Sequence, residues 1–341
     1  MRYKIHNIKN YNSNRKRYVI RFIYILIILV IFILGFVVGA AIGIKNIPFV
    51  KTVQTEWAIG IYTGKSPFKI SSANIKNPVL TASNVTDANA SFIADPFMLR
   101  EKDTWFMFFE VFNKTSNQGD IGMATSKDGF FWKYKKIVVD EDFHLSYPHI
   151  FKYKEDFYMV PETSQTKSIR LYKAADFPNQ WSLLKILVNG KNFSDPSIFR
   201  YANKWWMFSE TSPDQRFDTL RLYFADDLMG PWVEHPASPL IKGNPNIARP
   251  AGRVITFNEQ VFRFTQDDDP VYGKYVRAFE ITNLTTATYE EQEVNENPIL
   301  TPSGTGWNAL RMHHIDLHQI DKEKWIACVD GRGEKLVLSI K

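Results

Sequence analysis

The sequence predicts an all-β fold, a five-bladed β-propeller, preceded by a single N-terminal transmembrane helix. Three observations carry that reading. The phrase ADPFMLREKDTWFMFFEV at residues 94–111 returns as SDPSIFRYANKWWMFSET at 194–211. Segments of the same build start near residues 94, 147, 194, 249 and 313. Ahead of them, residues 22–44, FIYILIILVIFILGFVVGAAIGI, run for 23 residues without a charge.

The chain opens with a basic tail. Residues 1–21 contain seven Lys or Arg and no acid. Removing those seven from the 42 Lys and Arg leaves 35 against 36 Asp and Glu, so the net charge of +6 belongs to the tail. A nucleic-acid-binding reading needs a basic face on the folded part, and none is encoded. At about 1.5 Å per residue the apolar run spans a bilayer core of roughly 30 Å. It is longer than the roughly 7–15 residues of a cleaved signal's apolar region, so an uncleaved signal-anchor is expected. Positive charge before the span keeps the tail cytoplasmic and sends everything after Lys45 to the other side. Gly35, Gly39 and Gly43, spaced four apart, offer a small-residue face for a second helix. Residues 45–56 read as a stalk and 57–341 as the propeller. Cys328 is the sole cysteine, so no internal disulfide exists. Its strand-like context, WIACVD, makes it a buried side chain.

The repeat is read next. Each unit opens with a polar or Pro-containing cluster, runs into an apolar strand, turns, and enters a second strand: ADPFMLREKDTWFMFFE, YPHIFKYKEDFYMVPE, SDPSIFRYANKWWMFSE, RPAGRVITFNEQVFRFTQ and HHIDLHQIDKEKWIACVD. A third strand follows (IGMATS, IRLYKA, LRLYFA, YVRAFEI), then usually a fourth carrying Trp or Tyr. β-branched and aromatic residues dominate, and Gly, Asn, Asp and Pro mark the turns. Four short strands repeated five times make a propeller. The last unit supplies LVLSIK and lacks a clear fourth strand, whereas WAIGIYTG (57–64) is a spare strand at the start. Pairing it into the last blade would close the ring and remove an open sheet edge. Residues that open the inner strands then converge at one mouth of the central channel: Asp95, His149, Asp195, Arg249 and His314.

The series WAIGIYTG, NPVL, FIADPFML, FFE, HLSYPHIF, YMVPET, DPSIF, ARPAGR, QDDDPVYG and MHHID…VDG resembles a five-bladed propeller family, the N-terminal region of the glucosamine inositolphosphorylceramide transferases. That family is related to the arabinanase, levansucrase and invertase propellers. The resemblance covers roughly residues 57–332. In the plant members a separate glycosyltransferase domain follows the propeller, and this sequence does not contain it.

The related hydrolases place three carboxylates around the mouth. The resemblance implies Asp95 as nucleophile or base and Asp195 as the tuning carboxylate. The acid in those enzymes opens the next blade, but here that stretch is NIARPAGRV, with Arg249 in its place. A glycosidase needs a proton donor and a carboxylate opposite it. Glu162, in VPET, and His314, with Asp316 two residues along on the same strand face, are the candidate donors. Arg249 suits a carboxylate or phosphate as a bidentate clamp. His149, Gln266, Asp267 and Asp316 are expected to line the mouth and bind substrate, and Trp307, in a Gly-rich loop, to stack on a sugar ring. Glu110 and Glu210 recur at the position of Glu162 and read as blade-stabilising, and His313 alternates to the other strand face. No metal-ligand set or cofactor motif stands out. The expected function is therefore a membrane-anchored, extracytoplasmic propeller that cleaves or transfers a glycosyl group on a surface glycan or glycolipid. The alternative is a non-catalytic glycan-binding module that assists a partner glycosyltransferase.

Overall fold

A computed structural model describes residues 20–35, 50–72 and 75–338. The chain divides into two compact units, Met1–Val53 with Leu336–Lys341, and Gln54–Lys335. In the first, residues 20–35 form a helix whose side chains are all exposed, Phe22, Leu29 and Phe32 among them. The transmembrane expectation is met only in part. No helix among the described residues is long and apolar enough to cross a membrane. The rest of the predicted span, residues 36–44, lies outside the described residues, as does the basic tail up to residue 19.

The second unit is the propeller. Its first strands are β1 (Val50–Ser66), which belongs to this unit from Gln54 on, and β2 (Lys69–Ser71). Strand thus occupies residues 50–56 of the expected stalk, and residues 45–49 lie outside the described residues. Blade one is β3 (Ala90–Glu101), β4 (Thr104–Asn113), β5 (Gln118–Ser126) and β6 (Lys133–Val139). Blade two is β7 (Ser146–Tyr153), β8 (Asp156–Glu162), β9 (Ser168–Asp176) and β10 (Gln180–Asn189). Blade three is β11 (Ser194–Tyr201), β12 (Lys204–Glu210), β13 (Thr219–Ala225) and β14 (Val233–Glu234), with β15 (Ile241–Lys242) also on β13. Blade four is β16 (Ile255–Phe257), β17 (Gln260–Asp267), β18 (Tyr275–Leu284) and β19 (Tyr289–Glu293). Blade five runs β2-β1-β21-β20, from β20 (Ile315–Asp321) and β21 (Lys324–Leu338) at one chain end and β1 and β2 at the other.

The N-terminal strand therefore closes the ring, as the spare WAIGIYTG required. One detail differs: Leu336–Leu338 of LVLSIK continue β21, and β1 and β2 supply both the third and the fourth strand of the last blade.

In every blade the first two strands join through a two-residue turn. Ala202 and Asn203 (φ 47° and 62°) and Asn258 and Glu259 (50° and 65°) both lie in the left-handed region. That is the backbone of the turn whose twist matches paired strands. The core is not one mass but five clusters, each filling the wedge between two adjacent blades. Phe97, Phe108, Tyr147 and Ile150 join blades one and two, and Tyr158, Val160, Ile198 and Met207 join blades two and three. Phe199, Phe208, Val261 and Ile281 join blades three and four, and Phe264, Ile315, Leu317 and Trp325 join four and five. Ile59, Ile93, Met107 and Ile326 join five and one, sealing the ring. Each fully buried side chain of this size contributes about 1.5–3 kcal/mol relative to exposure.

The channel is bridged by polar side chains. Arg253 donates from Nε to Asp316 Oδ1 (2.8 Å) and from Nη2 to the carbonyls of Ile150 (2.9 Å) and Met98 (3.4 Å). Asp316 Oδ2 accepts the Met98 N–H at 2.7 Å and pairs with His318 Nε2 at 2.9 Å. Blades one, two, four and five are stitched together by this one pair. The Tyr147 hydroxyl adds blade three through Ser197 Oγ (2.7 Å), and it bonds both the carbonyl and the N–H of Gly252 (3.1 and 2.6 Å).

Candidate functional site

The inner strands of blades one to three open in the same way. Asp95, Tyr147 and Asp195 each precede a proline and each adopt a positive φ (52°, 47° and 49°). Pairing register slips beside them, between Ala94 and Phe97, Ser146 and His149, and Ser194 and Ser197. A bulge re-aims a side chain at the cost of local pairing. A non-glycine residue held in this region costs on the order of 1–3 kcal/mol, and such residues cluster at functional sites. The second strands reach the same mouth. Glu110 pairs with Ala94, Glu162 with Ser146 and Glu210 with Ser194, each opposite the residue that introduces the bulge. Gln266 on β17 of blade four and Asp330 on β21 of blade five bring their second strands to it likewise.

Arg249 is the hub of one half of the site. Its Nε donates to Asp195 Oδ2 at 2.5 Å, its Nη1 to the Tyr272 hydroxyl at 3.2 Å, and its Nη2 lies 3.8 Å from Glu162 Oε2. The guanidinium sits over the rings of Phe217 (4.3 Å) and Tyr272 (5.3 Å). Gln266 Nε2 donates to the same Asp195 oxygen at 2.6 Å and to the Pro250 carbonyl at 2.9 Å. Glu162 Oε2 accepts the Asp195 N–H at 3.1 Å. Burial, then the neighbouring Asp195, pushes the Glu162 carboxyl well above the usual range. Burial together with Asp95, Glu162 and Asp195 does the same to Glu110, whose Oε1 lies 3.4 Å from His144 Nε2.

Asp330 organises the other half. Its Oδ1 accepts the N–H groups of His313 (3.2 Å) and His314 (3.1 Å), and its Oδ2 accepts the Asp95 N–H (3.1 Å). His313 Nδ1 lies 2.8 Å from Asp330 Oδ2 and 3.9 Å from Asp95 Oδ1. The His313 ring stacks on Trp57 of β1, centroids 4.0 Å apart. Burial opposes charge on His313, but Asp330 and Asp95 outweigh it and its pKa is raised. Burial raises Asp95 to about 7, partly offset by His313 and reinforced by Asp195 and Asp330. Ligand atoms of Asp95, His313 and Asp330 lie within 4.8 Å of one another, a spacing that also suits a metal ion. With both Asp330 oxygens already accepting hydrogen bonds, the internal ion pair accounts for the cluster.

Asp95, Asp195, Glu162, Arg249 and Gln266 are thus brought together as the sequence indicates. His314 also reaches Asp95, and the remaining expected residues fall elsewhere. His314 is fully buried, with Nε2 on the Pro96 carbonyl (3.0 Å), its ring against Phe97 and Tyr147, and Nδ1 3.9 Å from Asp95 Oδ1, so it backs Asp95 from inside the wall. Burial drops its pKa to about 4, which favours the neutral ring, whereas Asp330 and Asp95 shift its neighbour His313 towards the charged form. His149 stacks on Phe97 (4.8 Å) deep in the channel wall, and burial lowers its pKa too. Asp267 pairs with Arg277 on β18 (2.9 Å), and it is Asp268, raised by burial and influenced by Arg249 and His313, that belongs to the mouth. Asp316 is the channel strut described above. Trp307 packs against β1 and β21: a Cβ on Gly60 or Gly331 would lie 2.6 or 2.8 Å from its ring. It is a packing wedge rather than a sugar platform. Glu210 is occupied by Ser212 N–H (2.6 Å) and Thr219 N–H (3.3 Å), the blade-stabilising role expected of it.

Glu110, Asp268, His313 and Asp330 are the site residues that sequence reasoning missed. The signal for two of them was present, since Glu110 and Asp330 stand on second strands at the place that Glu162 takes in blade two.

The mouth holds both partners that acid–base chemistry needs. Burial and like charge push the Glu162 and Glu110 carboxyls well above the usual carboxylate range, and Asp95, raised to about 7, exchanges a proton near neutral pH. Arg249 supplies positive charge beside them, and the neighbouring carboxylates favour the charged form of His313.

The family model described as "Glucosamine inositolphosphorylceramide transferase 1, N-terminal" matches residues 51–332. Glucosamine inositolphosphorylceramide transferase 1 of Oryza sativa subsp. japonica is 37% identical over 299 residues, covering 82% of this chain and 40% of the relative. The chain therefore spans less than half the length of that protein. Among solved structures, the Cellvibrio cellulosa α-L-arabinanase matches 72% of this chain and 90% of its own, with TM-score 0.51 and 18% identity. The catalytic domain of the Coprinopsis cinerea GH62 α-L-arabinofuranosidase matches 82% and 97%, with TM-score 0.53 and 11% identity. At these identities the two structures speak to the fold.

Proposed function

This chain belongs to the family of the glucosamine inositolphosphorylceramide transferase 1 N-terminal region, and from that premise we propose that its propeller acts on a surface glycan or glycolipid by glycosyl hydrolysis or transfer. One observation carries the proposal: three buried carboxyls, Asp95, Glu110 and Asp195, and the half-buried Glu162 gather at one channel mouth with Arg249 among their charged neighbours. A carboxyl kept protonated is a proton donor, and a second one ionised nearby is a base or nucleophile. Glu162 takes the first role and Asp95 the second, with Asp195 and Arg249 holding the charge balance.

The chain is further proposed to be anchored by residues 22–44, with the tail cytoplasmic and the propeller extracytoplasmic. The charge-free run, the basic residues before it and the exposed apolar helix over 20–35 support this.

A specific observation favours a second reading. Arg249 stands where the resemblance to the hydrolases expects the acid, and it is bonded to Asp195. On that reading the mouth binds a glycan without turnover and presents it to a partner glycosyltransferase.

The test incubates the full chain and Asp95→Asn with a panel of surface glycans and glycolipids, recording product release and binding. Turnover that disappears in the variant supports the enzyme. Saturable binding without product supports the recognition module. Neither turnover nor binding defeats both.

A further inference from the structure

Beside the carboxyl cluster, on the same mouth, lies a group of cations that the acid–base reading leaves unused. Arg311 and Arg332 face each other in an isolated antiparallel bridge. They exchange both backbone bonds: Arg311 N–H to the Arg332 carbonyl at 3.1 Å, and Arg332 N–H to the Arg311 carbonyl at 2.9 Å. Residues paired in this way project side chains to the same face of the ribbon, with Cβ atoms about 5 Å apart. Like charges directly opposite each other destabilise a sheet. Arg332 is partly compensated, with Nε on the Thr55 carbonyl (3.1 Å) and Nη2 3.8 Å from Glu56. Arg311 has no carboxylate partner among the described residues. A third cation joins them, since Lys274 Nζ donates to the carbonyl of Leu310 at 3.3 Å. Burial and then the charge of Arg332 lower the Arg311 pKa, while Tyr272 acts in the opposite direction. Tyr272 is the residue whose hydroxyl accepts from Arg249, and whose ring meets His313 edge-on at 5.4 Å. It is therefore the link between the two groups.

We propose that Arg311, Arg332 and Lys274 form a phosphate subsite at the rim of the mouth, receiving a phosphate group carried by the molecule whose sugar reaches the carboxyl cluster. Three cations against the single carboxylate of Glu56 leave an excess of positive charge. Two arginine forks and a lysine can share the three oxygens of a phosphate. A carboxylate is satisfied by one fork and leaves the others unpaired. The identity of the carrier rests on the glycan reading above, whereas phosphate binding itself does not.

The experiment measures binding of the full chain by calorimetry, with Arg311→Gln beside it. The probes are inorganic phosphate, glucose 1-phosphate, glucuronate and glucose. Phosphate and glucose 1-phosphate are expected to bind the wild type and to bind the variant about ten- to a hundredfold more weakly. Glucose alone is expected to be indifferent to the change. The variant is also expected to melt at a higher temperature than the wild type, because it removes a like-charge pair. A merely structural Arg311 would lower the melting temperature instead. Vesicles of phosphatidylcholine with phosphatidylglycerol distinguish the carrier: binding that depends on Arg311 points to a lipid phosphate, and its absence alongside glucose 1-phosphate binding points to a sugar phosphate. Equal phosphate binding by both chains, no phosphate binding at all, or tighter binding of glucuronate than of phosphate would overturn the assignment. If phosphate binds and no glycan is processed, the subsite stands and the glycan reading falls.

Discussion

Replacing Asp95 with asparagine should stabilise this protein at pH 8 and do little at pH 4. Asp95 is buried, and its carboxyl is raised from 3.8 to about 7. Asparagine is nearly the same shape, and it tolerates the positive φ that Asp95 adopts. The difference of about 3 units, at roughly 1.36 kcal/mol each, amounts to about 4 kcal/mol. The sign follows from proton binding. The folded state holds the Asp95 proton more tightly than the unfolded chain does. Wild-type stability therefore falls as pH rises from about 4 to about 7, then levels off. The variant has no such proton to lose. Urea unfolding of both chains at pH 4, 6 and 8 should show the stability difference growing by about 3–4 kcal/mol in favour of the Asp95→Asn variant over that range. Titration of groups remote from Asp95 is common to both chains and cancels, while loss of the Asp95 charge lowers the pKa of both His313 and Glu110. A difference independent of pH, or a variant less stable than the wild type at pH 8, would refute the argument that burial of this carboxyl strains the fold. A stabilising change that also abolishes turnover would mark Asp95 as a residue kept for chemistry at the expense of stability.

Other expectations follow from the same contacts. Arg253→Met strands the buried Asp316 charge and should cost about 3–5 kcal/mol in urea unfolding. Adding Asp316→Asn to it should recover much of that loss, because the stranded charge disappears. Trp307→Ala should cost about 3–5 kcal/mol through the void left against Gly60 and Gly331. Glycan binding by its folded fraction should stay unchanged, and a selective loss of binding at wild-type stability would return Trp307 to the site.

The five-unit build and the closing strand were legible because strand alternation and turn residues repeat with each blade. Asp95 and Asp195 were legible because the phrase that carries them repeats. The errors share a physical origin in the irregular backbone at strand ends. Alternation turns His313 away from the mouth, yet His313 and His314 both come within 3.9 Å of Asp95. Both precede β20, which starts at Ile315, so the period of two does not yet apply and both N–H groups turn to Asp330. The same shift of one residue separates Asp267, paired across the sheet with Arg277, from Asp268 at the mouth. Glu110 was read as structural because it recurs, but recurrence fixes position and not role. Glu210 is filled by its own turn, whereas Glu110 and Glu162 are left to the mouth. Arg253 sat unmarked inside ARPAGR, since its partners lie on three other blades.

The seam in blade five has a consequence for how this protein is made. Thr55 and Gly333 bond to each other across 278 residues of sequence. On a ribosome, blades one to four have all their strands before β20 is made. Blade five does not, because β20 and β21 emerge after the other four blades and must find a β1 made before them. Until then the apolar residues of β1, Ile59 and Ile61 among them, lack the partners that bury them. The interval between synthesis of β1 and arrival of β21 is when the chain is most open to aggregation. Shifting the seam by circular permutation into a loop between two other blades, so that all four strands of blade five are contiguous, should shorten that interval without altering the finished ring.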